Sequence, residues 1–297
     1  MYPLTVSSDR LAFLVNGQPF VWRGTLTWSL YGRALYFGIE NAREVVRDRR
    51  SVGANTVCCS LMLSWGFPFT PQEGHSLYDA DYWPFLTPFV RMCAAEQMRV
   101  CFIVFADTKF LMPDRNAQKA HWQRLYTHLA AEPNVTFVLV NQPGHHTQAI
   151  SIGGIAEFEP PPPIAGFPAL LAAPYNPHED ELPLAFPGWA FSCFCSKRND
   201  PNWWAEAGGY SMATVVSIGA GDRPPTHQAT VLFEPVPYGR RPEWSDPDKA
   251  RQFARSQAFK GTVGGNVYSD LDARSEVYPA GVVRDCAVEY LGNLPQP

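Results

Sequence analysis

The sequence predicts an α/β protein built as a single (β/α)8 TIM-like barrel, and three observations carry that prediction. Short apolar runs of strand character alternate with segments whose apolar residues recur at helical spacing. That rhythm builds a parallel sheet covered by helices. No Gly-rich phosphate loop follows the first strand, which argues against an open dinucleotide-binding sheet. The chain has 297 residues, 46% of them hydrophobic, enough for one large barrel with a filled core. The expectation is one domain over 1–297, with a hairpin lead-in at 1–19 and an irregular, loop-rich stretch at 145–228.

Arg10–Val15, Asn16-Gly17 and Gln18–Trp22 read as a short hairpin, because Asn-Gly suits a type I′ turn. The second arm leads into a first barrel strand, Phe20–Thr27. Ile39, Ala42, Val45, Val46 and Val52 keep helical spacing, and Gly53 offers a stop. Asn55–Leu63 follows as a strand. Tyr82, Phe85, Leu86, Phe89, Val90 and Cys93 mark an amphipathic helix. Arg99–Ala106 is an apolar strand, Ala117–Ala131 a helix, and Val135–Asn141 a fourth strand.

The same rhythm returns near the far end. Ala229–Glu234 reads as a strand, and Asp246-Pro247 starts a helix with Asp as cap and Pro at the first helical position. Thr262–Ser269 is a further strand. Val282, Val283, Cys286, Ala287, Tyr290 and Leu291 form a closing helix. Residues 145–228 must hold the fifth and sixth strands. Trp189–Cys195 suits a strand, Tyr210–Ile218 suits either a helix or a strand, and Glu159–Pro163 suits an extended polyproline loop.

Composition narrows the function classes. Net charge is −4 and the positive residues are scattered, so no basic face exists for nucleic acid or an anionic membrane. The densest basic run, Arg47-Asp48-Arg49-Arg50, ends a helix, where cations complement the helix dipole. No segment approaches the roughly 20 apolar residues of a membrane span, and Met1–Gly17 lacks the pattern of a signal peptide. Synthesis in the cytoplasm is the expectation. Seven cysteines (58, 59, 93, 101, 193, 195 and 286) fall inside apolar elements, as free buried thiols do. Their spacing gives poor support for a metal site, and no cofactor motif is present.

Three short motifs then carry a resemblance: Phe13–Gly24, Gly53-Ala54-Asn55-Thr56-Val57, and Asn141-Gln142-Pro143. In that order and spacing, the chain resembles the clan-A glycoside hydrolases, with 145–228 unmatched. The resemblance implies a barrel whose fourth strand ends in Asn-Glu-Pro, that Glu being the acid/base, and whose seventh ends in a nucleophilic Glu. It maps the nucleophile to Glu234, in Val231-Leu232-Phe233-Glu234-Pro235, and the acid/base to Gln142. Retaining glycosidases need two carboxyls about 5–5.5 Å apart. A carboxamide has no dissociable proton to give, and losing that assistance forfeits about 10²- to 10⁴-fold in rate. Two further departures are Cys58, where the clan commonly carries an Arg, and Phe191-Ser192-Cys193-Phe194-Cys195, where many carry His or Tyr. Plant myrosinases in the clan also carry Gln at the acid/base position and stay active on leaving groups that need little protonation.

The remaining candidates follow from position. Trp28, Trp65 and Trp244, with Trp203 and Trp204, fall near strand ends or in loops, where they either stack on sugar rings or pack locally. Asn141 precedes Gln142. Asp107 follows the third strand and either binds sugar hydroxyls or caps the next turn. Tyr268 and Asp270 end the last strand, and His145-His146 lie just beyond Gln142. The expectation is a barrel with an incomplete catalytic pair, serving non-catalytic glycan recognition or a structural role with protein assembly partners, as in a phage virion or tail component. The competing expectation is an active retaining glycosidase with Glu234 as nucleophile. Carbohydrate is the expected ligand in both.

Overall fold

The computed structural model describes residues 1–8, 12–62, 81–141, 143, 146–151, 153–161, 164–172, 189, 192–195, 214–217, 231–232, 248, 251, 264–267 and 277–294. The chain begins with a three-stranded antiparallel sheet of β1 (Leu4–Val6), β2 (Phe13–Val15) and β3 (Gln18–Phe20). Asn16 and Gly17 have φ of 53° and 73°, both left-handed as a type I′ turn requires. The hairpin is therefore as expected, with β1 added to it.

Among the described residues, nine parallel strands follow in chain order: β4 (Trp22–Leu26), β5 (Thr56–Ser60), β6 (Arg99–Phe105), β7 (Val135–Asn141), β8 (Gly166–Ala172), β9 (Ser192–Cys195), β10 (Thr214–Ser217), β11 (Val231–Leu232) and β12 (Gly264–Val267). Their spatial order runs from β10 through β9 down to β4, then to β12 and β11. β10 and β11, at the two ends of that order, touch each other, so the succession of neighbours comes full circle. The architecture is a TIM-like barrel. One detail differs from expectation: among the described residues, 145–228 holds three strands, not two. The β-branched run Thr214-Val215-Val216 lies in a strand, Thr214–Ser217, within the segment that suited either state.

The helices are α1 (Leu30–Phe37), α2 (Ile39–Ser51), α3 (Tyr82–Ala95), α4 (Thr108–Leu111), α5 (Arg115–His128) and α6 (Val282–Gly292). The first helical unit begins earlier than expected, because α1 precedes α2 across a break at Gly38, whose φ is 89°. α2 stops where the sequence says it should. Gly53 has φ of 97°, its amide donates to the Arg50 carbonyl, and the Ala54 amide donates to the Arg49 carbonyl. That pair of bonds is a Schellman ending. α5 starts at Asp114, whose carboxylate accepts the Ala117 amide at 2.7 Å.

Strand alternation sorts the core into two layers. Phe102 meets the rings of Tyr31 and Phe89, and Phe137 meets Trp122, so these side chains face the helices. Residues of opposite parity face the barrel interior. Leu26, Cys58, Cys101 and Thr136 are register neighbours across β4 to β7 and form one interior level. β5, β6 and nearly all of β7 are buried, as strands covered on both faces must be. The cysteines at 58, 59, 93, 101 and 286 are free and buried, and burial pushes the Cys93 and Cys286 thiols up, Cys286 to about 11.

The N-terminal sheet sits against the end where the strands begin. Phe13 packs on Trp22, and Arg99 donates to the Tyr2 carbonyl at 2.6 Å and stacks over Phe20. Asn55 accepts the Arg23 amide and donates to the Val21 carbonyl, stitching the entry of β4 to that of β5. At the same end the basic run proves more than a dipole partner. Arg49 is fully buried, pairs with Asp48 at 2.5 Å and lies 3.6 Å from the centre of the Tyr278 ring. Asp48 also accepts the Tyr278 amide and the Arg284 guanidinium at 3.0 and 2.6 Å. Arg47 and Arg50 match the exposed cations expected there: Arg47 pairs with Glu96, and Arg50 donates to the Glu96 carbonyl.

Candidate functional site

Parallel strands deliver all their C-terminal ends to one face of a barrel, and that face is where such folds gather chemistry. Trp28 lies two residues beyond β4, Asp107 two residues beyond β6, and Asn141 is the last residue of β7. All three expected residues therefore reach the same mouth. Trp28 is 8% exposed and its carbonyl accepts the Ser60 amide from the end of β5. Gln142, Trp65, Glu234, Trp244, Tyr268, Asp270, His145, Trp203 and Trp204 lie outside the described residues, while His146 is exposed. Asn141, Leu232 and Val267, at the ends of β7, β11 and β12, precede three of them. β7 and β11 stand four strands apart in one direction round the ring and five in the other, on opposite sides of the mouth. By chain order β11 is the eighth parallel strand, one place later than the resemblance implies.

Asp107 is left-handed, with φ of 52°, and is largely buried. It occupies the cap position of α4, but its side chain does not cap that turn; its carbonyl accepts the Phe110 and Leu111 amides instead. Capping is thus removed as an account of this carboxylate. A non-glycine residue in this conformation costs about 1–3 kcal/mol and persists only where the surroundings impose it.

Next to it stands a polar brace that sequence reading missed. Gln148, 5% exposed, donates to the Asn141 carbonyl at 2.6 Å. Its amide oxygen accepts the Thr108 hydroxyl at 2.8 Å. The Thr108 oxygen in turn accepts the Ala149 amide at 2.7 Å, and the Lys109 amide donates to the Thr147 carbonyl at 3.0 Å. The end of β7 and the turn after β6 are thereby tied together. No sequence signal joins Thr108 to Gln148, since neither belongs to a periodic segment.

The two other departures can be placed. Cys58 lies in the middle of β5, buried between its register neighbours Leu26 and Cys101, and supplies no positive charge to the interior. β9 is the sixth parallel strand, as expected, and it carries Ser192-Cys193-Phe194-Cys195. Among the described residues no group of three or more His, Cys, Asp or Glu is arranged to hold a metal ion. Nor is any helix among them long and apolar enough to cross a membrane.

No protein-family model matches the sequence, and no curated protein matches it either. Comparison of structures decides the fold. A family 5 glycoside hydrolase mannosidase from Rhizomucor miehei (an E301A mutant) superimposes with a TM-score of 0.62 at 10% identity, covering 99% of this chain and 98% of that one. The fold is that of the family 5 glycoside hydrolases. A β-1,4-mannanase from the sea hare Aplysia kurodai gives a TM-score of 0.59 at 11% identity, covering 96% of this chain and 95% of the other. A family 5 enzyme from Bacteroides vulgatus gives 0.57 at 14% identity and covers 95% of this chain, which spans only 66% of that enzyme. At such identities the likeness establishes the barrel and not the chemistry within it.

Proposed function

We propose that this family 5-like barrel binds a glycan at its C-terminal face and cleaves it slowly or not at all. The observation that carries the proposal is the end of β7: Asn141 closes the strand at the mouth, and the next residue in the sequence is Gln142, not a carboxylic acid. In a retaining mechanism, a Glu234 carboxylate oxygen bonds to the anomeric carbon as the bond to the leaving oxygen breaks. That oxygen must gain a proton, and water later displaces the enzyme carboxylate. Gln142 donates a hydrogen bond to the leaving oxygen but transfers no proton, which removes about 10²- to 10⁴-fold of rate for an ordinary alcohol leaving group.

Because the similar structures include a mannosidase and β-1,4-mannanases, β-1,4-mannan oligosaccharides are the first ligands to test, with cello-oligosaccharides for contrast. Calorimetry is expected to show mannan oligosaccharide binding without hydrolysis. Gln142→Glu is expected to raise turnover of an unactivated mannan by about 10²-fold or more. Efficient mannan hydrolysis by the natural sequence, or a complete lack of binding to either glucan or mannan, overturns the proposal.

A second reading, an active retaining glycosidase for activated substrates, is favoured by the retained Glu234. It requires turnover of an aryl glycoside with a good leaving group, and that turnover must vanish in Glu234→Ala.

A further inference from the structure

We infer that Phe110 is a sugar-stacking platform that extends the glycan site beyond the ring of strands; the inference rests on the glycan-binding reading above. Phe110 is the most exposed large apolar side chain among the described residues, at 72%. It makes no aromatic or cation contact among them. The exposed pair Tyr36 and Phe37 differs, since those rings pack edge to face and Arg33 covers Phe37.

The position of Phe110 is held with unusual firmness for a surface residue. α4 has four residues, too few to sustain a helix without outside support. That support is the brace through Thr108 and Gln148 to Asn141, together with the buried Met112 that follows. Thr108 and Leu111 turn inward, and Lys109 and Phe110 are left outside. The bonds that fix the end of β7 therefore also fix an exposed apolar ring on the turn after β6.

A flat, exposed apolar ring matches one face of a pyranose, whose axial C–H bonds form an apolar surface bordered by hydroxyls. Aromatic side chains offer such a surface at low cost in conformational freedom. Since Phe110 lies on the turn after β6 and is exposed to solvent, it meets a sugar unit other than the one at Asn141. Its contribution depends on oligosaccharide length.

The test is calorimetric titration of the full chain with mannobiose and mannohexaose. Phe110→Ala changes an exposed side chain and leaves folding intact, which circular dichroism and the thermal midpoint check. Its affinity for mannohexaose is expected to fall about tenfold while that for mannobiose stays unchanged, and Phe110→Trp is expected to bind the hexaose as well as the parent or better. Parent-like hexaose binding by Phe110→Ala overturns the platform, as does an equal loss for both lengths. If the parent chain binds no oligosaccharide of any length, the glycan-binding reading itself fails and the platform falls with it.

Discussion

Acid should weaken this fold through one residue in the helical layer, His121. It lies on α5, is 7% exposed, and packs against Trp83, Phe105 and Tyr82 at ring separations of 5.2, 5.9 and 6.0 Å. Its Nε2 has no hydrogen-bond partner among the described residues. Burial first, and the nearby Arg124 guanidinium second, push the imidazole from its ordinary 6.5 down to about 4. Arg124 is itself fixed over Trp83, 4.0 Å from the ring centre. The folded state thus binds the proton more weakly than the unfolded chain. Stability is complete above pH 6.5 and declines as pH falls from 6.5 to about 4. At 1.36 kcal/mol per pH unit of difference, the change between pH 7 and 4.5 is about 2.5 kcal/mol. Urea unfolding at the two pH values measures it, with His121→Leu as the comparison that cancels the carboxylates and His128. The variant should lose about 2.5 kcal/mol less than the parent over that interval. Identical losses in the two proteins would refute the reasoning.

Two further predictions concern the end of the barrel remote from the mouth. Arg49→Met removes the buried partner of Asp48 and the cation over Tyr278; because Asp48 keeps Arg284, the expected cost is about 3 kcal/mol by urea unfolding, with oligosaccharide affinity unchanged. Gly53→Ala meets nothing closer than the Leu291 Cβ at 3.8 Å, so its cost is conformational alone. With φ at 97° it is expected to lower stability by about 1 kcal/mol, read as a lower thermal midpoint.

The parts of the fold that were legible are those where one physical signal dominates. β5, β6 and β7 are buried on both faces, so they appear as unbroken apolar runs. α3 shows a clean helical period, and Asn16-Gly17 specifies its own turn. α1 escaped because Leu30–Phe37 is apolar on most sides, which hides the period of 3.6. α4 and β1 are too short to show any period. In 145–228 frequent Pro and Gly and short strands leave little periodicity to read.

The site was legible to the same degree. Trp28, Asp107 and Asn141 could be placed at the mouth because strand ends are readable. Gln148 and Thr108 could not, since their pairing spans 40 residues and leaves no pattern. Motif residues such as Gly53 and Asn55 turn out to serve the frame, one ending a helix and the other stitching two strand entries.

The contacts of Asp48 also bear on how the protein is made. Its partners Tyr278 and Arg284 come 230 and 236 residues later, so a nascent chain emerging from the ribosome carries this carboxylate and the neighbouring guanidinium uncovered for most of its synthesis. Long-range closures of this kind slow folding. Shortening the gene ahead of codon 278 would yield a product that never seals, and such a product should be soluble only with chaperone assistance and readily nicked by protease within α2.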